Sequence, residues 1–435
     1  MNTGMGSIAE EALRLHALYR GKMQVALKCP IHDASDFSYW YTPGVAAPCR
    51  AISADPRKVW EYTNKSNLIA VVSDGSRVLG LGNIGPLAGL PVMEGKALLF
   101  KYLGGVDAVA LCLGTQNQQE FVRTVQLLEP SFGAINLEDI AQPRCFRVLD
   151  ELRRTMTIPV WHDDQQGSAT ALLAGLINAV KIVGKSIGSL RIAMIGMGAA
   201  NFATYRLLKS YGVNPAQIVA CDSRGVLHPG RRDIADRRDG FAEKWSVCVE
   251  SNADGVRDGI EQALQGADVC IAFARSEPGV IQPQWIRAMA PDPIVFACAN
   301  PEPEIWPQDA IAGGARIVAT GRGDFPNQLN NSLVFPGVMR GTLDSRAKTI
   351  SDEMAVAAAV ELARCAEEAG LRENAILPPM NDWRIVPRIA AAIAVKAQEQ
   401  GLAGIVRSRD EWIREATEYI RKVREIPAAP LAETA

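Results

Sequence analysis

The sequence predicts an α/β protein of two domains, an N-terminal α/β domain followed by a doubly wound parallel sheet. Three observations predict it. Short apolar runs alternate with helical stretches through most of the 435 residues, the mark of parallel sheets covered by helices. A glycine turn, Gly196-Met197-Gly198, stands between an apolar run and a helical stretch, as in Rossmann-type folds. Two pairs of adjacent carboxylates, Glu138-Asp139 and Asp163-Asp164, each follow an apolar run, and strand ends are where such folds gather ligands.

Taken in order, residues 7–28 carry Ile8, Ala12, Leu13, Leu15 and Leu18 at roughly helical spacing and predict a helix. A Pro-Gly turn inside residues 38–52 follows. Residues 68–73 and 106–112 read as strands. The glycine-rich loop 79–91 lies between them and leads into a helix carrying Lys96. Ala134–Leu137 and Ile158–Trp161 are further strands, each running into its acid pair. A long helix over 167–184 then joins the two domains.

In the second domain the strand 190–195, the glycine turn, a helix over 201–211 and the strand 217–222 form a βαβ unit. Strands follow near 268–273, 294–299 and 316–319, and helices near 350–369 and 385–400 close the domain. The expected division is 1–163, 164–425 and a disordered tail at 426–435.

Composition sets the bounds. The chain is 48% apolar and 22% charged with net charge −2, ordinary for a soluble globular protein. No basic run points to nucleic acid, and no apolar stretch is long enough to span a membrane. Nine scattered cysteines without a paired spacing indicate reduced thiols and a cytoplasmic location. Four histidines make a three-histidine zinc site improbable.

Four carboxylates converging at strand ends would repel one another unless a cation or a lysine joined them. A hard divalent ion, Mg²⁺ or Mn²⁺, suits an all-oxygen set. Helix capping would account for one acid, Asp164, but not for two pairs. In the second domain the backbone of Gly196, Gly198, Ala199, Ala200 and Asn201 is placed to approach a pyrophosphate at a helix N-terminus. Asp222 ends the next strand, where an acidic residue accepts hydrogen bonds from an adenosine ribose and favours NAD. Arg224 follows within two residues and suits the 2′-phosphate of NADP, so either nucleotide fits.

These blocks resemble the malic enzyme family in its short bacterial form. The likeness runs from about Ala12 to about Leu402. It is carried by YTPGVAAPC (41–49), VLGLGNIGPLAGLPVMEGKALLFK (78–101), INLEDIAQPRCF (135–146), WHDDQQGSA (161–169), CANPEPEI (298–305) and DFPNQLNNSLVFPGVMRG (324–341). The resemblance implies an N-terminal catalytic domain and a C-terminal Rossmann-type domain. The implied reaction is oxidative decarboxylation of (S)-malate to pyruvate and CO₂ with NAD or NADP and a divalent metal, in a homodimer. The chain departs from the family pattern at Met197 and Asn201 in the glycine turn, at Gly323, and at Arg77.

The resemblance also implies roles. Glu138, Asp139 and Asp164 are the metal ligands, and Asp163 faces Lys96. Lys96 is the general base for the C2 hydroxyl, with its pKa drawn down by nearby cations or desolvation against the pull of Asp163. Tyr41 is the general acid at C3. Asn300 and Asn331 orient substrate, with Asn300 also reaching the nicotinamide carboxamide. Arg77 grips the distal carboxylate. His162, next to Asp163 on a strand, is expected to point to the opposite face and to be structural. Two other readings share these residues: a malolactic or oxaloacetate-decarboxylating lyase, and an inactive nucleotide-binding regulator.

Overall fold

A computed structural model describes residues 5–425, so the tail expected to be disordered lies outside the described residues. Two parallel sheets organise the chain. The first holds β1 (Leu68–Ser73), β2 (Asp107–Cys112), β3 (Ala134–Leu137) and β4 (Val160–His162) in the order β2-β1-β3-β4. The second holds β5 (Ile192–Ile195), β6 (Ile218–Asp222), β7 (Gly225–Val226), β8 (Val269–Ala272), β9 (Ile294–Ala297) and β10 (Ile317–Thr320) in the order β10-β9-β8-β5-β6-β7. All pairings are parallel except β7 on β6. Runs such as Ile69-Ala70-Val71-Val72 and Ile294-Val295-Phe296-Ala297 are buried on both faces. That is the burial parallel strands require. In each sheet the order reverses beside the first strand, between β1 and β3 and between β5 and β8, which opens a crevice at the strand ends.

Helices cover the sheets. The glycine-rich segment is shorter than expected: its helix starts at Gly85, with Pro86 in the first turn, and runs to Gly104. Proline is tolerated there because a first-turn amide has no helical partner. The helix expected over 7–28 is corrected. It ends at Tyr19, because Arg20 (φ 53°) and Gly21 (φ 115°) both turn left-handed. Ser168–Ile182 is buried along most of its length and links the two sheets. The capping box of Ser408 and Glu411 starts the last helix, Arg409–Arg424. That helix returns to the first sheet, where Tyr419 packs on Gly105 and Arg424 bonds Tyr102.

The helices Phe335–Ser345 and Ile385–Glu399 cross at glycine. A Cβ on Gly341 would stand 2.2 Å from the Ala390 carbonyl oxygen, and one on Gly337 2.7 Å from Ile389. Gly341→Ala is therefore expected to destabilise the protein by about 1–3 kcal/mol, as overpacking does, despite alanine's better helix propensity. Gly188→Ala, where nothing lies within 4 Å, is the control and should melt like the parent protein. Equal melting temperatures for the two variants would show that the crossing has slack.

Candidate active site

The acid pairs meet because their strands are neighbours. Leu137 of β3 pairs with His162 of β4, so Glu138-Asp139 and Asp163-Asp164 leave the sheet side by side. Asp139 takes a left-handed φ of 54°, and its amide donates to Asp164 Oδ2 at 2.8 Å. Asp163 opens a π-helical turn, Asp163–Gly167, that feeds the long helix. Gly167 is required there, since a Cβ would come within 2.0 Å of Asp163 Oδ1.

Lys96, buried on the helix Gly85–Gly104, reaches both pairs. Its Nζ lies 2.6 Å from Asp163 Oδ2, 3.0 Å from Glu138 Oε1 and 4.3 Å from the centre of the Phe335 ring. Trp161 Nε1 donates to Asp163 Oδ1 at 3.0 Å, and Asn136 Nδ2 to Glu138 Oε2 at 2.8 Å. The sequence reading missed Trp161, Asn136, Phe335 and Gly167. Trp161, Asn136 and Gly167 stand within three residues of an acid pair, which is the signal that could have found them.

Burial and mutual repulsion push these acids up. Asp139 rises to about 8, through burial and then the Asp164 charge. Glu138 rises well above the carboxylate range through burial, against the pull of Lys96. Burial also raises Asp164, although its side chain is partly exposed. Lys96 moves opposite to the expectation. Burial alone would lower it, but Asp163 and then Glu138 outweigh that and hold it above the usual lysine value. His162 is buried; its Nδ1 stands 3.7 Å from Asp164 Oδ2, two residues on, while Asp163 faces Lys96, and burial lowers its pKa to about 3.

The acids suit a divalent ion in their chemistry. Asp139 Oδ2 is buried without a hydrogen-bond partner, and the three carboxylates repel one another. They are neighbours, however, and not a formed cage. Among the described residues no three ligand-type side chains are grouped to hold an ion, because Glu138 is turned onto Lys96 and Asn136.

The other expected residues divide. Asn331 packs against the Asp163 turn, its Cβ 3.1 Å from where a Gly167 side chain would start. Asn300 is exposed beyond β9, and its carbonyl lies 2.7 Å from the same point on Gly80, so the glycine-rich loop of the first sheet meets the second. Arg77 is exposed, donates to the Leu79 carbonyl at 3.0 Å and weakly draws down Asp139 and Asp164. Tyr41 is not brought into the cluster: it is 71% exposed, and its hydroxyl makes no hydrogen bond among the described residues.

In the second sheet Gly196 (φ 85°) makes the turn after β5, and the helix Ala199–Tyr211 starts beside it. Phe202 is the first residue whose amide bonds within this helix, to Gly198 at 2.9 Å. The amides of Ala199, Ala200 and Asn201 therefore have no partner inside the helix and are placed for an anion. The Asn201 side chain serves the turn itself, donating to Ile195 and Gly196 carbonyls at 3.0 and 2.8 Å. A Cβ placed on Gly198 would meet the Gln142 side chain across the crevice at 3.7 Å. Asp222 does not stand open for a ribose: Arg231 and Lys244 hold its carboxylate, and the Arg224 side chain reaches Asp233.

Comparison with known proteins agrees with this layout. The family described as "Malic enzyme, N-terminal domain" matches residues 20–120, and "Malic enzyme, NAD binding domain" matches residues 165–400. The bifunctional malic/malolactic enzyme of Bacillus subtilis is 46% identical over 93% of this chain and 97% of its own length. The NAD-dependent malic enzyme of Geobacillus stearothermophilus is 44% identical over 88% of this chain and 78% of its own. Other relatives are named NADP-dependent malic enzyme. The crystal structure of Entamoeba histolytica malic enzyme superposes with a TM-score of 0.93, at 44% identity, over 96% of this chain and 87% of that one.

Proposed function

The chain belongs to the malic enzyme family, and on that premise we propose that it oxidatively decarboxylates malate to pyruvate and CO₂ with NAD or NADP and a divalent metal. The observation that supports this reading most is Lys96 paired with Asp163 at 2.6 Å, beside three mutually repelling acids.

In this reading Glu138, Asp139 and Asp164 would hold Mg²⁺ or Mn²⁺, which would supply Lewis-acid stabilisation of the charge on the C2 oxygen. Glu138 borders both Lys96 and the ligand set, so it would have to turn from Lys96 to join the other two acids on the ion. Lys96, once its ammonium had given up a proton, would take the C2 hydroxyl proton as hydride left C2 for a bound nicotinamide. The C3–C4 bond then breaks, CO₂ departs, and its electron pair stays as the enolate. Tyr41 returns a proton to C3. Asn331 and Asn300 orient the substrate, and Arg77 takes the distal carboxylate. We assign 1–163 as the catalytic domain and 164–425 as the nucleotide-binding domain. Nine free cysteines support a reducing, cytoplasmic setting. No helix among the described residues is long and apolar enough to cross a membrane.

A homodimer is part of this proposal. Phe37, Tyr39, Trp40, Tyr41 and Val45 are all exposed within nine residues, a patch that a second copy would cover. Tyr41 needs such a contact to bring it onto substrate. Trp40→Asp is expected to shift the protein from dimer to monomer in sedimentation velocity. A parent protein that sediments as a monomer would remove the dimer from the account.

The name of the Bacillus subtilis relative favours one second reading, a malolactic reaction without net redox. Product analysis separates the two: pyruvate with equimolar reduced nucleotide supports the oxidative reaction, and lactate with none supports the malolactic one.

A further inference from the structure

The ribose end of the nucleotide crevice presents donors where a dinucleotide lacking a 2′-phosphate needs acceptors. Asp222 closes β6, the place from which an acidic side chain accepts the ribose hydroxyls. Its Oδ1 accepts from Arg231 Nη1 at 3.1 Å and from the Arg224 amide at 2.9 Å. Its Oδ2 accepts from Arg231 Nη2 at 3.2 Å and from Lys244 Nζ at 3.0 Å. A carboxylate offers about four acceptor directions, and these four donors take them.

The surrounding charge points the same way. Arg224, Arg231 and Lys244 stand against Asp222 and Asp233, three cations to two carboxylates. Arg231 is part-buried and spent on both acids. The Arg224 side chain is 63% exposed and meets Asp233 through one nitrogen at 3.3 Å, so most of its donors face outward. Past Lys244 the surface opens into a cleft of about 680 Å³, bordered by Arg147, Arg237, Arg238, Asp236, Asp239 and Phe241. There again guanidinium groups outnumber carboxylates by three to two. Phe241 joins the cleft to Lys244, whose Nζ lies 6.0 Å from its ring centre.

We propose that this chain selects NADP, with Arg224 and Lys244 holding the 2′-phosphate and Arg231 keeping the Asp222 carboxylate engaged so that it neither accepts from the ribose nor repels the phosphate. A phosphomonoester near the outward Arg224 and the part-exposed Lys244 gains charge-assisted hydrogen bonds that a ribose hydroxyl cannot supply. The inference rests on the dinucleotide reading of the second sheet.

Its test needs no turnover. The full-length protein is titrated calorimetrically with 2′,5′-ADP and with 5′-AMP. The expected result is binding of 2′,5′-ADP at least about tenfold tighter, with Arg224→Ala and Lys244→Ala each reducing the ratio of the two affinities severalfold. Arg224→Lys should retain part of the ratio, which separates charge from folding. Both ligands binding equally to the parent protein overturns NADP selection and leaves the dinucleotide site standing. Variants that weaken both ligands by the same factor overturn the roles of Arg224 and Lys244. Binding of neither ligand overturns the dinucleotide reading, and the selection with it.

Discussion

Asp164→Ala is expected to lose metal-dependent turnover by at least about 10³-fold, because the charge on the C2 oxygen then lacks several kcal/mol of Lewis-acid stabilisation. Asp164 is the acid whose Oδ2 is bound by the Asp139 amide at 2.8 Å and backed by His162 at 3.7 Å, so its position is set from two sides. The substitution removes a partly exposed side chain, and the fold should survive it. A readout apart from activity is available. Mn²⁺ at about a hundred times its dissociation constant should stabilise the parent protein by about 2.7 kcal/mol. That rise in melting temperature should shrink in the variant. Full activity in Asp164→Ala would remove this residue from the ligand set.

Lys96→Ala is expected to lower the rate of hydride transfer by about 10²–10⁴-fold, the span of a positioned general base, while nucleotide binding persists. The variant carries a second effect. Asp163 and Glu138 are both buried against the Lys96 ammonium, and breaking a buried pair by removing one partner is destabilising by about 3–5 kcal/mol. Comparison at a temperature well below melting separates the two, as does the nucleotide affinity measured by fluorescence on the folded fraction. A variant that binds nucleotide poorly yet turns over normally at saturation would show that Lys96 is not the base.

Sequence legibility followed physical range. Strands such as β1 and β6 could be read to within a residue, because both faces are buried and the apolar run ends where burial ends. The first helix could not: apolar residues (Met23, Val25, Leu27) continue past Tyr19, and the left-handed Arg20-Gly21 stops it. The pairing of Lys96 with Asp163 was legible as resemblance, but its contact with Glu138 and the balance of its charges were not. Whether burial or Asp163 sets the Lys96 proton depends on distances between residues 67 positions apart. Asp222 shows the same limit. Its place at the end of β6 was plain, yet the donors that fill it come from residues 231 and 244, which nothing in the strand foretells. Tyr41 stands in the YTPGV block and still lies in the open, 71% exposed, a placement that the block itself does not foretell.

The central claim, redox decarboxylation at the Lys96 cluster, is tested most directly by following absorbance at 340 nm. Purified protein, Mn²⁺ and malate are mixed with NAD or NADP, and pyruvate is assayed in the same samples. The expected result is reduced nucleotide accumulating one for one with pyruvate. A flat trace with both nucleotides, at metal and substrate levels that saturate binding, would contradict the account.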